Sequence, residues 1–480
     1  MKNIIGDMNP LIRGNIYLGV AFIIFYFSGY VIHFGAVRIL SPETYGNFGV
    51  LLSFLTLLQI TFMSGIPNSA TKYLAEEVDG FDLRKKALLL QGAIMTGMVV
   101  MLYVAAPFLT HFFKDSSYLL FIKILACVAF IRGINQVFSG LFGGYRQFGN
   151  QAIHIIIDSF PRIVFVFIFL WLGLGINGIF IGYGMASLAG IIFGIYYFKP
   201  KKTLNVISYS NLLKFSFPLI IYSLCFQLTS SLDLFIIKSS DIPDSFVGYY
   251  TSAVVLCSVI GIITTIISMT LLPILSKAWN SNDKTESIQL IEEGLHYAII
   301  FFIPVVVVLS SKAEQWLMLF FGKEYGRANI CLIILIWGWL SLQLFSIIAT
   351  FFTAIGKPGI PMIIAAFGVI LSCILNKVLI NIFGMEGGAA STFLTGIMCF
   401  GISIYCAHRY LNIRIYYSKV LRIALSAIMM CIIFKSLSFN GILLIGWSVL
   451  CVSSYYFILY WLKVVKKEEI FKLVYPEKYV

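Results

Sequence analysis

A succession of about fourteen apolar runs, each near 20 residues and separated by short polar connectors, constrains this chain more than any other feature. About 20 apolar residues, rising 1.5 Å apiece in a helix, match the ~30 Å hydrocarbon core of a bilayer. Such runs leave little room for anything soluble. Of the 480 residues 60% are hydrophobic and 11% charged, against roughly 45–50% and 25% in a water-soluble domain. A soluble globule and a disordered chain are both excluded, and polar stretches of only about 15–20 residues cannot form a separate enzymatic domain.

The runs predict helices at about 14–37, 47–66, 87–110, 118–141, 152–171, 177–198, 212–237, 246–270, 290–310, 327–352, 360–381, 387–408, 418–437 and 442–463. The first lacks a small-residue cleavage site and reads as a retained helix rather than a signal peptide. With the N-terminus inside, 23 of the 34 Lys and Arg residues collect on one side and 7 on the other. By the positive-inside rule this expects a cytoplasmic-membrane protein with both termini cytoplasmic, and makes the charge of +13 a matter of topology rather than of nucleic-acid binding.

The chain also repeats itself. Tyr45-Gly46, a long apolar run and Pro67 recur about 200 residues later as Val247-Gly248, a long run and Pro273. The turn Gly175-Ile176-Asn177-Gly178 recurs as Gly384-Met385-Glu386-Gly387. Two copies of six helices are expected, residues 1–205 and 206–410, followed by two further helices and a cytoplasmic tail in 411–480. An even number of helices per copy gives both the same orientation, hence a pseudo-twofold axis along the membrane normal with a cavity between the lobes. The fold class expected is an all-α polytopic membrane protein of 14 transmembrane helices. Two lobes rocking about a cavity suit alternating access, which favours a transporter over an integral enzyme.

Charges deep in a span need a cavity, a partner or a task. His154, Asp158 and Arg162 fall at i, i+4 and i+8 on one face of the 152–171 helix, with Pro161 beside Arg162. Arg162 lies about 15 Å in, and Asp158 is placed to pair with it across one turn. Arg132, about 20 Å down its own helix, is followed by Asn135 and Gln136. Arg132, Arg162, Asn135, Gln136 and Lys377 are the candidate substrate-binding residues of the cavity. Asp158, His154 and Asp233 are candidates for coupling or ion pairing. His33 stands near the end of the first helix. Basic residues outweigh Asp158, so the interior should attract an anion; guanidinium matches phosphate oxygens.

Soluble motifs fail their context tests. Gly173 to Gly178 matches GxGxxG but joins two apolar spans and has no acidic residue about 20 positions on. The nine cysteines form no CxxC pair and the five histidines are scattered, so neither a cofactor nor a metal is expected, while H+ or Na+ remains open as a coupling ion.

LSPETYGNFGV (40–50), GIPNSATKYLAEE (65–77), Asp233 with VGYYTSA (247–253), LLPILSKAW (271–279), FGKEYGRAN (321–329) and NKVLINIFGMEGGAAST (376–392) together resemble the polysaccharide-transporter family of the multidrug/oligosaccharidyl-lipid/polysaccharide exporter superfamily. The resemblance implies two six-helix lobes plus two helices, and a flippase that moves a polyprenyl-diphosphate-linked oligosaccharide from the cytoplasmic to the outer leaflet. Cationic cavity residues would hold the diphosphate. Its partners would be the lipid-linked oligosaccharide, membrane lipids, and the polymerase and glycosyltransferases of surface polysaccharide synthesis. Siblings flip peptidoglycan precursor or export drugs and cations, so those readings stay open beside it. A membrane-embedded transferase is disfavoured for want of paired carboxylates or a nucleophile.

Overall fold

The computed structural model describes residues 10–76, 78–202, 209–280, 284–411, 417–437 and 441–462, with the single residues 413, 439 and 464. Within a bilayer a backbone that cannot hydrogen-bond to water must satisfy itself, and every described element is accordingly helical. The first eight α-helices are α1 (Pro10–Ile39), α2 (Pro42–Leu58), α3 (Gly65–Ala75), α4 (Gly80–Phe112), α5 (Tyr118–Gly144), α6 (Phe148–Trp171), α7 (Gly175–Tyr197) and α8 (Tyr209–Ser239). The others are α9 (Asp244–Asn280), α10 (Lys284–Ser311), α11 (Ala313–Phe321), α12 (Asn329–Ala354), α13 (Gly359–Phe383), α14 (Met385–Leu411), α15 (Tyr417–Ser436) and α16 (Ile442–Trp461).

Thirteen stretches among the described residues are long and apolar enough to cross a membrane. The remaining expected span, 418–437, is present as α15, which carries Lys419 and Arg422 in its first two turns and Lys435 in its last; it is not among the thirteen. Two short helices were not foreseen. The apolar run after Pro42 ends in a π-helical turn, Gln59–Met63, and then continues as α3. Alpha11 precedes α12, with a 3-10 turn between them. The basic residues near both termini that enter the charge bias, Lys2 and Lys466 among them, lie outside the described residues.

Helix ends follow local chemistry. Ser41 caps α2 by accepting from the Thr44 amide, with Pro42 in the first helical position. Asp79 caps α4, accepting from the Asp82 amide at 2.8 Å. The matched turns take matching forms: Gly175 and Gly384 both have positive φ, 53° and 63°, a conformation that costs glycine nothing. Gly178 and Gly387 then lie so close to the preceding helix that a side chain would strike it.

Packing divides the chain into two compact units, residues 1–251 with 365–388, and residues 252–364 with 389–480. In the first, α6 lies along α7 and α1, while α5 packs on α4 and α7. One end of this unit is tied by Thr71 donating to the Gly140 carbonyl and by the Lys201 amide donating to the Tyr145 hydroxyl, above a core that includes Leu83, Phe138, Phe142 and Phe198. In the second, Tyr455 donates to the Ile300 carbonyl at 3.3 Å, and Lys312 Nζ donates to the Leu437 carbonyl at 2.5 Å while lying over the Phe434 ring.

Candidate functional site: a buried charge cluster between α1, α5, α6 and α7

Small residues let the helices of the first unit approach closely enough to bury charge. Gly182 of α7 lies against the backbone of Val166 in α6, and Gly190 lies against the Asn135 side chain of α5. Side chains at either glycine would force the helices apart. Into the space so enclosed α6 presents His154, Asp158 and Arg162 on one face, as their spacing predicts, and all three are buried.

The carboxylate of Asp158 is held from two neighbouring helices. Asp158 Oδ1 accepts from Asn135 Nδ2 at 3.0 Å and from the Ser187 hydroxyl at 2.7 Å. Its Oδ2 lies 3.8 Å from Arg132 Nη1. The ion-pair partner of Asp158 is therefore Arg132 of α5, and the expected pairing with Arg162 one turn along α6 is corrected. Helix spacing brings positions four apart onto one face, but Arg162 turns instead towards α1. There its guanidinium donates to the Ser28 hydroxyl, and to the Phe25 carbonyl at 3.4 Å.

The two arginines share a ring. Arg132 lies 5.4 Å and Arg162 4.9 Å from the centroid of Tyr183, and Arg162 is also 4.9 Å from that of Phe25. Cation–π contact suits weakly hydrated guanidinium, but it does not satisfy N–H donors. Arg132 and Arg162 are each 3% exposed, yet Arg132 Nε and Nη1 and Arg162 Nε have no hydrogen-bond partner among the described residues. Two guanidiniums thus face one carboxylate in a water-poor setting, leaving one positive charge and several donors in excess. Guanidinium donors of this kind match the oxygens of an oxyanion in geometry and sign.

The remaining candidates are placed as follows. The His154 ring lies beside those of Phe142 and Phe193, and its Nε2 is buried with no hydrogen-bond partner among the described residues. Asn135 joins the cluster, whereas Gln136 points off the shared face and is half-buried. Lys377 lies on an exposed face of α13 beside Ile374 and Val378. Asp233 belongs to a separate pair, accepting from the Tyr250 hydroxyl at 2.5 Å. His33 meets the Tyr45 hydroxyl at 2.9 Å. Sequence reasoning missed Ser187, Tyr183, Ser28 and Phe25. The one Ser or Thr inside the 177–198 run was the available signal for Ser187; nothing in sequence marks an aromatic ring as the platform for two arginines. Among the described residues no group of His, Cys, Asp or Glu is gathered to hold a metal ion.

With this geometry in hand, similarity to known proteins becomes informative. A family model described as "Polysaccharide biosynthesis protein" matches residues 11–279, and the MatE model matches residues 218–378. An uncharacterized membrane protein of Methanocaldococcus jannaschii, MJ1375, is 27% identical over 79% of this chain and 94% of its own. The lipid II flippase MurJ of Bacillus subtilis is 22% identical over 78% of each chain. A probable low-salt glycan biosynthesis flippase of Haloferax volcanii, Agl15, is 24% identical over 37% of this chain and 38% of its own. Among solved structures, lipid II flippase MurJ in an inward closed conformation superposes with a TM-score of 0.74 at 16% identity, covering 96% of this chain and 99% of that one. A MOP-superfamily transporter from Pyrococcus furiosus, described as having a binding pocket of reverse polarity that suggests a different function, superposes with a TM-score of 0.62 at 15% identity over 83% and 96%. The fold is that of the MurJ and MATE transporters, and the chain, matched over more than half its length, belongs to the polysaccharide biosynthesis protein family.

Proposed function

We propose that this protein is an alternating-access flippase of the cytoplasmic membrane, both termini cytoplasmic, that carries a polyprenyl-diphosphate-linked oligosaccharide to the outer leaflet for surface polysaccharide synthesis. It is a transporter rather than an enzyme. The observation that carries the reading is the excess of guanidinium over carboxylate around Asp158, with unpartnered donors on both arginines. A cation exporter needs the opposite sign. The names of the Haloferax and Bacillus relatives and the reversed pocket polarity described for the Pyrococcus transporter support the same direction.

In this mechanism Asp158, fixed by Asn135 and Ser187, orients Arg132, while Arg162 waits beneath Phe25 and Ser28 of α1. Arrival of the diphosphate displaces that cover, and the donors now idle are satisfied by its oxygens. The lipid tail stays in the bilayer as the polar head crosses. Glycosyltransferases and a polymerase supply and consume the cargo.

The test is flipping of a fluorescent polyprenyl-diphosphate sugar in proteoliposomes by Arg162→Ala protein. Near-complete loss with unchanged insertion is expected; normal flipping would overturn the role of Arg162. A second reading, a drug or cation antiporter, draws on the MatE match over residues 218–378. Drug resistance conferred on a sensitive host, lost in Asp158→Asn protein, would establish it instead.

A further inference from the structure

Three loops meet at one end of the first unit: those joining α1 to α2, α4 to α5 and α8 to α9. By the internal repeat the first two belong to one copy and the third to the other, so bonds among them join the copies. The matched dipeptides Tyr45-Gly46 and Val247-Gly248 themselves touch. A Cβ on Gly46 would strike the Gly248 nitrogen, and one on Gly248 the Pro42 carbonyl oxygen. A turn further on, Gly49 faces Thr251 in the same way. Bare backbone at symmetric positions is what a pseudo-twofold seam needs if α2 and α9 are to close fully, since any side chain would hold them apart.

Charge is arranged around this seam to suit opening as well as closing. Lys238 at the end of α8 is 3% exposed. Its Nζ lies 2.8 Å from Asp244 of its own copy and 3.4 Å from Asp115 of the other. Asp115 also accepts from Asn47, the neighbour of Gly46, at 3.3 Å. If the seam parts, Lys238 loses its longer bond and keeps its shorter one. Opening therefore strands no buried cation, which is the usual penalty for breaking such a pair.

We propose that this seam is the outer gate of the transport cycle, shut here by the Gly46–Gly248 contact and the Lys238–Asp115 pair, and that it parts when the cytoplasmic side closes. The proposal draws on the preceding reading for alternating access and orientation, and not for the substrate.

Thr251→Cys tests it. This small, buried residue lies on the seam, and its reaction with a membrane-impermeant maleimide applied to whole cells reports opening, with the unsubstituted protein as the baseline for the native cysteines. Slow labelling is expected in the otherwise native chain, and labelling many-fold faster when Gly46→Leu wedges the seam. Should the leucine variant fail to insert, Asp115→Asn removes the negative charge that Lys238 and Asn47 meet across the seam, leaves Lys238 paired with Asp244, and should speed labelling several-fold. Labelling equally slow in every inserted variant, or as fast in the native gate as in detergent-denatured protein, would overturn the gate. Loss of sugar flipping with this labelling pattern intact would count against the substrate instead.

Discussion

Midway along α6 two arginines face one aspartate; at the end of α8 one lysine faces two. Both clusters are buried in the first unit, yet the second is nearly satisfied and the first is not. Lys238 has two carboxylates within 3.4 Å, and its partners reach water, with side chains 19% and 34% exposed. Arg132 and Arg162 have one carboxylate between them, at 3.8 Å from the nearer, and donors with nothing to bind. A surplus of acid at a wet helix end costs little, because water completes it. A surplus of base inside a bundle is costly, and is kept where something negative comes to meet it. The contrast separates a cluster that satisfies its charges from one that does not.

The strongest way to break that contrast is to remove the one interior carboxylate. Asp158→Leu leaves two guanidiniums without a counter-ion, a loss of about 3–5 kcal/mol for a broken buried pair. The expected outcome is little folded protein by size exclusion in detergent. Asp158→Asn keeps hydrogen-bonding capacity towards Ser187 and Asn135 and should recover part of the yield. If the leucine variant were as stable as the parent, the interior would be wetter than the exposures of its side chains imply.

Arg162→Ala comes next and should dissociate function from fold. It removes the surplus charge while leaving Asp158 with Arg132, so thermal stability should hold or rise slightly. Loss of a charge-assisted contact worth about 1.5–3 kcal/mol should reduce flipping roughly tenfold or more. Arg162→Lys should not rescue, since a lysine cannot stack between the Tyr183 and Phe25 rings and donate in a fork at once.

The two clusters also differ in how far sequence disclosed them. The interior one was legible in outline, because charged residues at four-residue spacing in an apolar run place themselves on one buried face. Its pairing was not legible: local spacing favoured Arg162 for Asp158, and the partner comes from α5, whose approach depends on Gly190 and on the crossing of α5 with α7. The same limit applies to Lys377, since depth is readable from a run but the direction around a helix is not. The spans were legible except where a helical run breaks, at the π turn before α3 and at α11, and at α15, which is not among the thirteen. At the seam, the matched glycine dipeptides were visible as a repeat. That they touch could not be inferred, as residues about 200 positions apart meet only once the chain between them is folded.

Lys238→Met sharpens the comparison from the other side. Methionine keeps an apolar stem against Tyr118, whose ring the ammonium faces at 5.5 Å, and leaves Asp115 and Asp244 to water. The expected loss is about 1–3 kcal/mol, smaller than for Asp158→Leu, measured as a lower melting temperature of the purified protein.

The smallest effect belongs to the pair beside it. Lys114 and Asp241, just after α4 and α8, also meet, at 2.5 Å, but their side chains are 54% and 94% exposed. The hydrogen bond and charge of Lys114 hold the Asp241 carboxyl below the usual carboxylate range. Whatever this pair contributes is therefore present above the ordinary carboxylate pKa and is lost as pH falls through the lowered one. Solvent and salt screen an exposed pair so strongly that Lys114→Ala should leave the melting temperature unchanged at neutral pH and physiological ionic strength. A clear drop, removed by 1 M salt, would mean that charge at this end acts collectively. Lys238 would then be one member of a network with Lys114 rather than an independent tie, and Asp115→Asn would need to be judged with Lys114 already removed.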